Sequence, residues 1–332
     1  MDETYRYYSI ANTEQLQDLE NLAGCSALDP AIFARHQPDL HLAIAEEDRL
    51  VARCSLWWQS TPKYQNEQLG CIGHYAAETN EGAAVLFAQA CQTLKEHSCT
   101  LAIAPIDGNT WRNYRWISEP GDRPFFFLEP DFVPDYTEQV LQSGFTPFAR
   151  YYSSLVTDLD RADKRLERVR DRLDQLKITI RYLQLENWQT ELQKIYQVAR
   201  ISFSKNLLYT AISEAEFIAQ YSAIKPYVNP ELILLAERGD RPIGFLFALP
   251  DYRQLQDTGK CDTLILKTVG ILGDRAYAGL GNFLIDRIHH TARRLGYQSV
   301  IHALMYSGNS SFNISARYGQ PIRQYTLFAK AI

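Results

Sequence analysis

Ile271-Leu272-Gly273-Asp274-Arg275-Ala276-Tyr277-Ala278-Gly279-Leu280-Gly281-Asn282 is the stretch that decides how this chain reads. A β-rich run, Thr263-Leu264-Ile265-Leu266-Lys267-Thr268-Val269, precedes it, and an amphipathic segment over 283–295 follows it. Strand, glycine-bearing turn and helix together make a place for a pyrophosphate. Gly279 and Gly281 carry no Cβ, so backbone N–H groups can approach an anion at a helix N-terminus. No Walker lysine follows, and the glycines do not complete a G-x-G-x-x-G pattern. Neither the ATP nor the dinucleotide reading is therefore favoured.

Downstream, residues 296–305 form a strand candidate, Asn309-Ser310-Ser311-Phe312 opens a short helix, and residues 323–328 read as a closing strand. This order resembles the GNAT superfamily of acyl-CoA-dependent N-acyltransferases. In that family an Arg/Gln-x-x-Gly-x-Gly/Ala turn binds the coenzyme A pyrophosphate, and an Asn after the next strand lies near the pantetheine arm. The match here is Ala276-Tyr277-Ala278-Gly279-Leu280-Gly281, followed by Asn309. Ala276 holds the first motif position, with Arg275 one place early. Ala316 holds the place, seven residues after the Asn, where the family often has a Tyr as general acid.

The resemblance implies a set of roles. The backbone from Ala276 to Asn282 would hold the pyrophosphate, with Tyr277, Ala278 and Leu280 in the same turn. The strand ending at Ile271 and Leu272 would pair with the extended pantetheine arm, and Asn309 would reach that arm or the thioester. The cosubstrate would be acetyl-CoA or another acyl-CoA, with no metal. Tyr318 and Tyr306 are the candidate general acids, Tyr318 lying two residues beyond the family position. A buried tyrosine with a satisfied hydroxyl is the plainer reading of Tyr318. Asn309 is also a good helix N-cap. No Glu or Asp lies within 264–272 to act as base, and Lys267 there reads as a solvent-facing charge or a salt-bridge partner. His302 reads as a satisfied core histidine.

Composition sets limits. The chain has 332 residues, enough for two domains of roughly 150 residues each. Hydrophobic residues at 46 % and charged residues at 22 % match a soluble globular protein. A net charge of −5 gives no bulk attraction to nucleic acid or an anionic membrane. No run approaches the ~18 apolar residues of a spanning helix. The N-terminus lacks a signal-peptide apolar core. The expectation is a cytoplasmic protein without a membrane partner. Cys25, Cys54, Cys71, Cys91, Cys99 and Cys261 form no C-x-x-C pair, as in a reduced compartment.

The order of elements repeats. Residues 40–58 read as a hairpin, 69–76 as a third strand, 82–96 as a helix, 100–104 as a fourth strand, 136–143 as a short helix and 145–156 as a last strand. The second half gives the same order after helices at 188–204 and 214–224. The fold class is thus mixed α/β (α+β). It comprises two tandem GNAT-like domains, each a twisted, mostly antiparallel sheet flanked by helices. The expected divisions are 1–157, a linking helix over 158–177, and 178–332. In the linker, Leu159, Ala162, Leu166, Val169, Leu173 and Leu176 recur at spacings of three and four, an amphipathic seam. That seam suits a helix laid along the domain junction, or one paired across a homodimer.

The first copy lacks the glycine turn. Its equivalent, Glu78-Thr79-Asn80-Glu81-Gly82, has one glycine and two carboxylates that would repel a pyrophosphate. It does carry Trp111, Arg112, Tyr114, Arg115 and Trp116, then Phe125-Phe126-Phe127-Leu128-Glu129-Pro130. Aromatics interleaved with arginine can stack bases, line a cleft or bury an interface. The negative net charge argues against nucleic acid. Arg112 and Arg115 are expected to face the cleft of the other half, where one or the other orients an acidic group on the acceptor; bracing of the interface alone is the plainer reading. The expectation is an acyl-CoA-dependent N-acyltransferase acting on a small-molecule or peptide amine. An aminoacyl-tRNA-dependent transferase and a non-catalytic acyl-CoA-binding module are the alternatives.

Overall fold

The computed structural model describes residues 4–19, 21–161 and 163–332. The first half runs β1 (Tyr5–Ile10), β2 (Ala23–Gly24), α1 (Pro30–His36), β3 (Leu40–Glu46), β4 (Arg49–Trp57), β5 (Leu69–Ala77), α2 (Asn80–Glu96), β6 (Leu101–Ala104), β7 (Trp116–Glu119), α3 (Pro134–Gln142) and β8 (Thr146–Val156). A linker helix, α4 (Arg165–Gln175), follows. The second half runs β9 (Ile178–Tyr182), α5 (Trp188–Ser202), α6 (Glu214–Ser222), β10 (Ile233–Arg238), β11 (Arg241–Pro250), α7 (Tyr252–Thr258), β12 (Thr263–Ile271), α8 (Leu280–Arg294), β13 (Ser299–Tyr306), α9 (Ser310–Ser315) and β14 (Gln320–Ala331).

Each half builds an antiparallel hairpin, β3/β4 or β10/β11, and adds a third antiparallel strand, β5 or β12. A helix then crosses over, α2 or α8, and delivers a strand parallel to the third, β6 or β13. The crossover helices follow from apolar spacing. In α8, Leu280, Leu284, Ile285, Ile288 and Ala292 are buried, a stripe of three- and four-residue steps turned to the sheet. Residues Ile233 to Glu237 of β10 are all buried, as expected of a strand covered on both faces.

The halves then exchange their last strands. The strand order is β1-β3-β4-β5-β6-β14-β8-β13-β12-β11-β10-β9, with β2 on β4 and β7 on β14. β14, the last strand of the second half, lies between β6 and β8 of the first, and β8 lies against β13 of the second. One sheet of mostly antiparallel strands thus runs through the whole protein. The Ser153 hydroxyl ties the exchange from the side, donating or accepting with the Tyr325 hydroxyl at 2.9 Å and accepting from the Leu304 N–H at 3.0 Å.

Two local departures from the sequence pattern matter. The linker helix is shorter than 158–177: it begins at Arg165, so Leu159 precedes it, and Ala162 lies outside the described residues. Leu166 and Leu173 of its seam are buried within this chain, and the helix packs against α8 and β9. Helices α1 and α7, which the pattern does not predict, have seven residues each, too few to show a period. Capping sets both: Asp29 accepts from the Ala31 N–H, and Asp251 from the Arg253 and Gln254 N–H groups.

Candidate active site

The parallel pair β12/β13 is short. It holds from Thr263 opposite Ser299 to Leu266 opposite His302. Beyond that, β13 stays with β8, placing Met305 opposite Tyr152 and Tyr306 opposite Tyr151. β12 stays with β11 as far as Ile271, with a register shift that leaves Lys267 without an opposite residue. The β13-facing edge of β12 is therefore unpaired from Lys267 to Ile271 among the described strands. An extended chain with alternating donors and acceptors can pair with such an edge.

The glycine turn stands at the end of this edge. Asp274 accepts from the Ala276 N–H at 2.9 Å and shapes a single helical turn over Arg275–Tyr277. Tyr277 and Leu272 are buried and anchor the turn, while Ala278 and Gly279 are exposed. Gly279 is the N-cap of α8 with φ +87°, a left-handed conformation that disfavours any side chain, and no side chain caps the helix. Gly281 lies in the first turn. A Cβ there would sit 3.6 Å from Ile271 and 3.8 Å from Val269, ordinary contact distances. The fold therefore does not require glycine at 281. Its bareness leaves the first N–H groups of α8 approachable, which is what an anion needs.

The first copy closes both features. The Thr79 hydroxyl caps α2 by accepting from the Gly82 N–H at 3.0 Å, and Glu78 is held by the Arg49 guanidinium. Its splay is also filled. Asp107 Oδ1 accepts the His74 N–H at 2.7 Å, and the Ile106 N–H donates to Ile72 O at 2.8 Å. His36 Nδ1 and His74 Nε2 are 2.8 Å apart, while Ser55 Oγ bridges His74 Nδ1 at 2.9 Å and His41 Nδ1 at 2.8 Å. Burial lowers the pKa values of these histidines, to about 4 for His36, about 3 for His41 and about 2 for His74, with nearby arginines adding to it. Burial raises Asp107 to about 6. His36, His74 and Asp107 offer three metal-ligand atoms within 4.8 Å. Arg112, which donates to His36 O at 2.9 Å and Asp107 O at 3.3 Å, works against a cation there.

The linker helix lies on the turn of the second copy, which the sequence did not indicate. A Cβ on Gly279 would start 2.8 Å from Val169 Cγ2. The Arg172 guanidinium donates to Ala278 O. Asp163 accepts from Asn282 Nδ2 at 3.3 Å, and Arg165 grips the same carboxylate, holding its pKa down to about 2. A carboxylate thus stands beside the first turn of α8.

The two candidate acids are placed differently. The Tyr318 hydroxyl donates to Asn282 Oδ1 at 2.7 Å, its ring is buried against His289, and burial pushes its pKa up to about 12. That proton is engaged. Nearby, His302 is fully paired, with Ser315 Oγ at 2.9 Å and His289 Nε2 at 2.9 Å, a satisfied core histidine. Tyr306 lies on β13 beside the unpaired edge, with its ring 5.3 Å from that of Tyr151, and its hydroxyl makes no hydrogen bond among the described residues. Asn309 occupies the N-cap position of α9, but its side chain does not cap the helix. Nδ2 instead donates to Asn206 Oδ1 at a long 3.4 Å.

The aromatic stretch of the first half crosses to the second. Trp111 Nε1 donates to Thr210 O at 2.7 Å, and its ring meets Phe217 edge-on. Arg112 faces Glu216 at 3.7 Å. Arg115 is stacked on Tyr114 and Tyr151, the latter in contact with Tyr306. Lys267 is partly buried with no carboxylate or hydrogen-bond partner among the described residues, neither the solvent-facing charge nor the salt-bridge partner the sequence suggests. Burial, and then the Arg115 charge, lower its pKa.

A hairpin, a third strand, a crossover helix with a glycine turn at its N-terminus, and a parallel strand that splays away define the GNAT fold, here in tandem. Solved structures show the same. No family model and no curated protein sequence matches the chain. The glucosamine N-acetyltransferase region of a fungal multi-domain GH3 β-N-acetylglucosaminidase is similar over 99 % of this chain and 38 % of that one, at 12 % identity and TM-score 0.54. A GCN5-related N-acetyltransferase from Anabaena variabilis ATCC 29413 is similar over 98 % of this chain and 73 % of that one, at 11 % identity and TM-score 0.54. These likenesses are to the fold. Among the described residues, no helix is long and apolar enough to cross a membrane.

Proposed function

We propose that this protein is an acyl-CoA-dependent N-acyltransferase, with acetyl-CoA as donor, an amine as acceptor, and its site in the second half. The observation that carries this reading is the contrast between two equivalent helix N-termini. Gly279 leaves that of α8 without a side-chain cap, whereas Thr79 caps that of α2. An uncapped N-terminus with Gly281 in its first turn suits a pyrophosphate, and the unpaired edge of β12 from Lys267 to Ile271 suits an extended amide-bearing arm.

Acyl-CoA supplies the activated thioester. The chain's own residues position the rest. Backbone N–H groups of Leu280, Gly281 and Asn282 would receive the anion. Asn309, whose amide is not spent on capping, would hold the arm near the splay. Tyr306, with its free hydroxyl, is the proton donor for the departing thiolate; Tyr318, engaged with Asn282, is a strut for the first turn of α8. The acceptor amine enters between the halves, where Tyr306, Tyr151 and Arg115 meet. Native mass spectrometry of the full chain with acetyl-CoA tests the reading: a one-to-one complex is expected, and its absence at millimolar coenzyme contradicts it.

A further inference from the structure

Among the described residues two arginines are buried, and they are treated differently. Arg323 is fully served: it takes both oxygens of Glu129 through Nη1 and the carbonyls of Pro120, Pro124 and Arg123. Arg115, 9 % exposed, has no carboxylate within salt-bridge distance among the described residues. Its guanidinium lies between two aromatic faces, 4.1 Å from the Tyr114 ring centroid and 4.5 Å from that of Tyr151. Nη1 donates to the Tyr114 hydroxyl. Nε is buried without a partner, and Nη2 makes no hydrogen bond among the described residues.

Those two nitrogens form one edge of the guanidinium fork. Elsewhere in the same molecule that edge meets a carboxylate three times: Arg49 on Glu78, Arg165 on Asp163 and Arg181 on Glu237. A planar fork with parallel N–H groups matches a carboxylate in geometry and charge. Cation–π contact steadies the ring of charge but leaves the N–H edge unused. The backbone is also held for this placement. Arg115 has φ +77°, which costs a non-glycine residue, and its N–H is fixed on Pro105 O at 3.1 Å. A second cation with no carboxylate or hydrogen-bond partner among the described residues, Lys267, stands at the β12 bulge, and after burial the Arg115 charge adds to the lowering of its pKa. A bound anion would reverse both the burial cost and that repulsion.

We infer that the Nε/Nη2 edge of Arg115, reinforced by Lys267, binds the carboxylate of the acyl acceptor, which is therefore an amine of the amino-acid type. The placement follows from Tyr151, whose ring touches both the Arg115 guanidinium and Tyr306. A carboxylate on Arg115 sets the amine of the same molecule toward Tyr306 and the free edge of β12. Arg112, paired with Glu216 and two carbonyl oxygens, braces the junction and is not part of this recognition.

This inference rests on the acyltransferase reading, but its test uses no acyl-CoA, so the two fail separately. The full chain is titrated with each of the twenty standard amino acids and with the matching amides, and Tm is followed. At least one amino acid is expected to raise Tm where its amide does not. Calorimetry with the strongest of these should show R115Q binding about 10- to 100-fold more weakly, the loss of a charge-assisted pair of hydrogen bonds. R115K, which keeps the charge and lacks the fork, should recover only part of the affinity. If R115Q does not fold, K267M carries the same expectation. Amides that bind as well as acids, no stabilisation by any amino acid, stabilisation by inorganic phosphate alone, or unchanged affinity in folded R115Q or K267M overturns the inference.

Discussion

Val169 of the linker helix packs against Gly279 so closely that a Cβ on the glycine would begin 2.8 Å from Val169 Cγ2. The segment joining the halves is therefore seated on the turn where the coenzyme's pyrophosphate is proposed to bind. Three of its side chains touch that region: Val169, Arg172 on Ala278 O, and Asp163 on Asn282. A carboxylate there repels a pyrophosphate; a guanidinium attracts one.

The linker should thus tune coenzyme affinity. Asp163→Ala removes the carboxylate, and acetyl-CoA should bind more tightly, by several-fold at low salt, with the gain shrinking as salt rises. Arg172→Ala should weaken binding. Calorimetry at two ionic strengths checks both, and unchanged affinity in the two variants would mean that the linker only packs.

The tyrosines should separate by role. Tyr306→Phe is expected to lower turnover by about 10²–10⁴-fold with little change in acetyl-CoA affinity, the range for a positioned general acid. Tyr318→Phe removes the hydroxyl bonded to Asn282 and should act on stability instead, by about 1 kcal/mol, with turnover per folded molecule preserved. The opposite pattern would return the proton-donor role to Tyr318.

Stability should fall on mild acidification. His36, His41, His74 and His289 have folded pKa values lowered to about 4, 3, 2 and 4, and His302 also lies well below its ordinary value, each first by burial. In the unfolded chain they take protons near pH 6.5. Below that pH the unfolded state binds more protons, so the native state loses stability as pH drops from about 6.5 toward 4. Asp107, raised to about 6, and Glu129, Asp251 and Asp286, each also raised by burial, act the other way as pH falls through the carboxylate range, so the decline begins with the histidines near pH 6.5 and is partly offset at lower pH. Tm measured from pH 8 to pH 4 should be level above 7 and decline below 6.5. A flat profile through pH 5 would contradict the neutral, buried histidine networks.

Much of the fold was legible because its elements carry period and punctuation. The stripe of α8, the hairpin turns at residues 47–48 and 239–240 and the glycine turn all show in the residues themselves. The strand exchange did not show, since β8 and β14 have the same apolar pattern whichever half they join. At the site, Gly279, Gly281 and Asn309 could be picked out by type. The placement of the linker on the turn could not, because its contacts join residues more than a hundred positions apart, and neither could the lone Lys267 or the stacked Arg115, whose surroundings are set by how strands and loops pack. The engagement of Tyr318 with Asn282 was hidden because a hydroxyl's partner is a property of packing.

The most direct test of the coenzyme assignment compares the two equivalent helix N-termini by calorimetry with acetyl-CoA. Gly281→Glu puts a carboxylate into the uncapped first turn of α8, and Gly82→Glu does the same at the Thr79-capped α2. Circular dichroism and Tm establish that each variant is folded. The account predicts that folded G281E loses acetyl-CoA binding while folded G82E keeps the affinity of the unaltered protein. Equal loss from both, or undiminished binding by G281E, would contradict a coenzyme site at the N-terminus of α8.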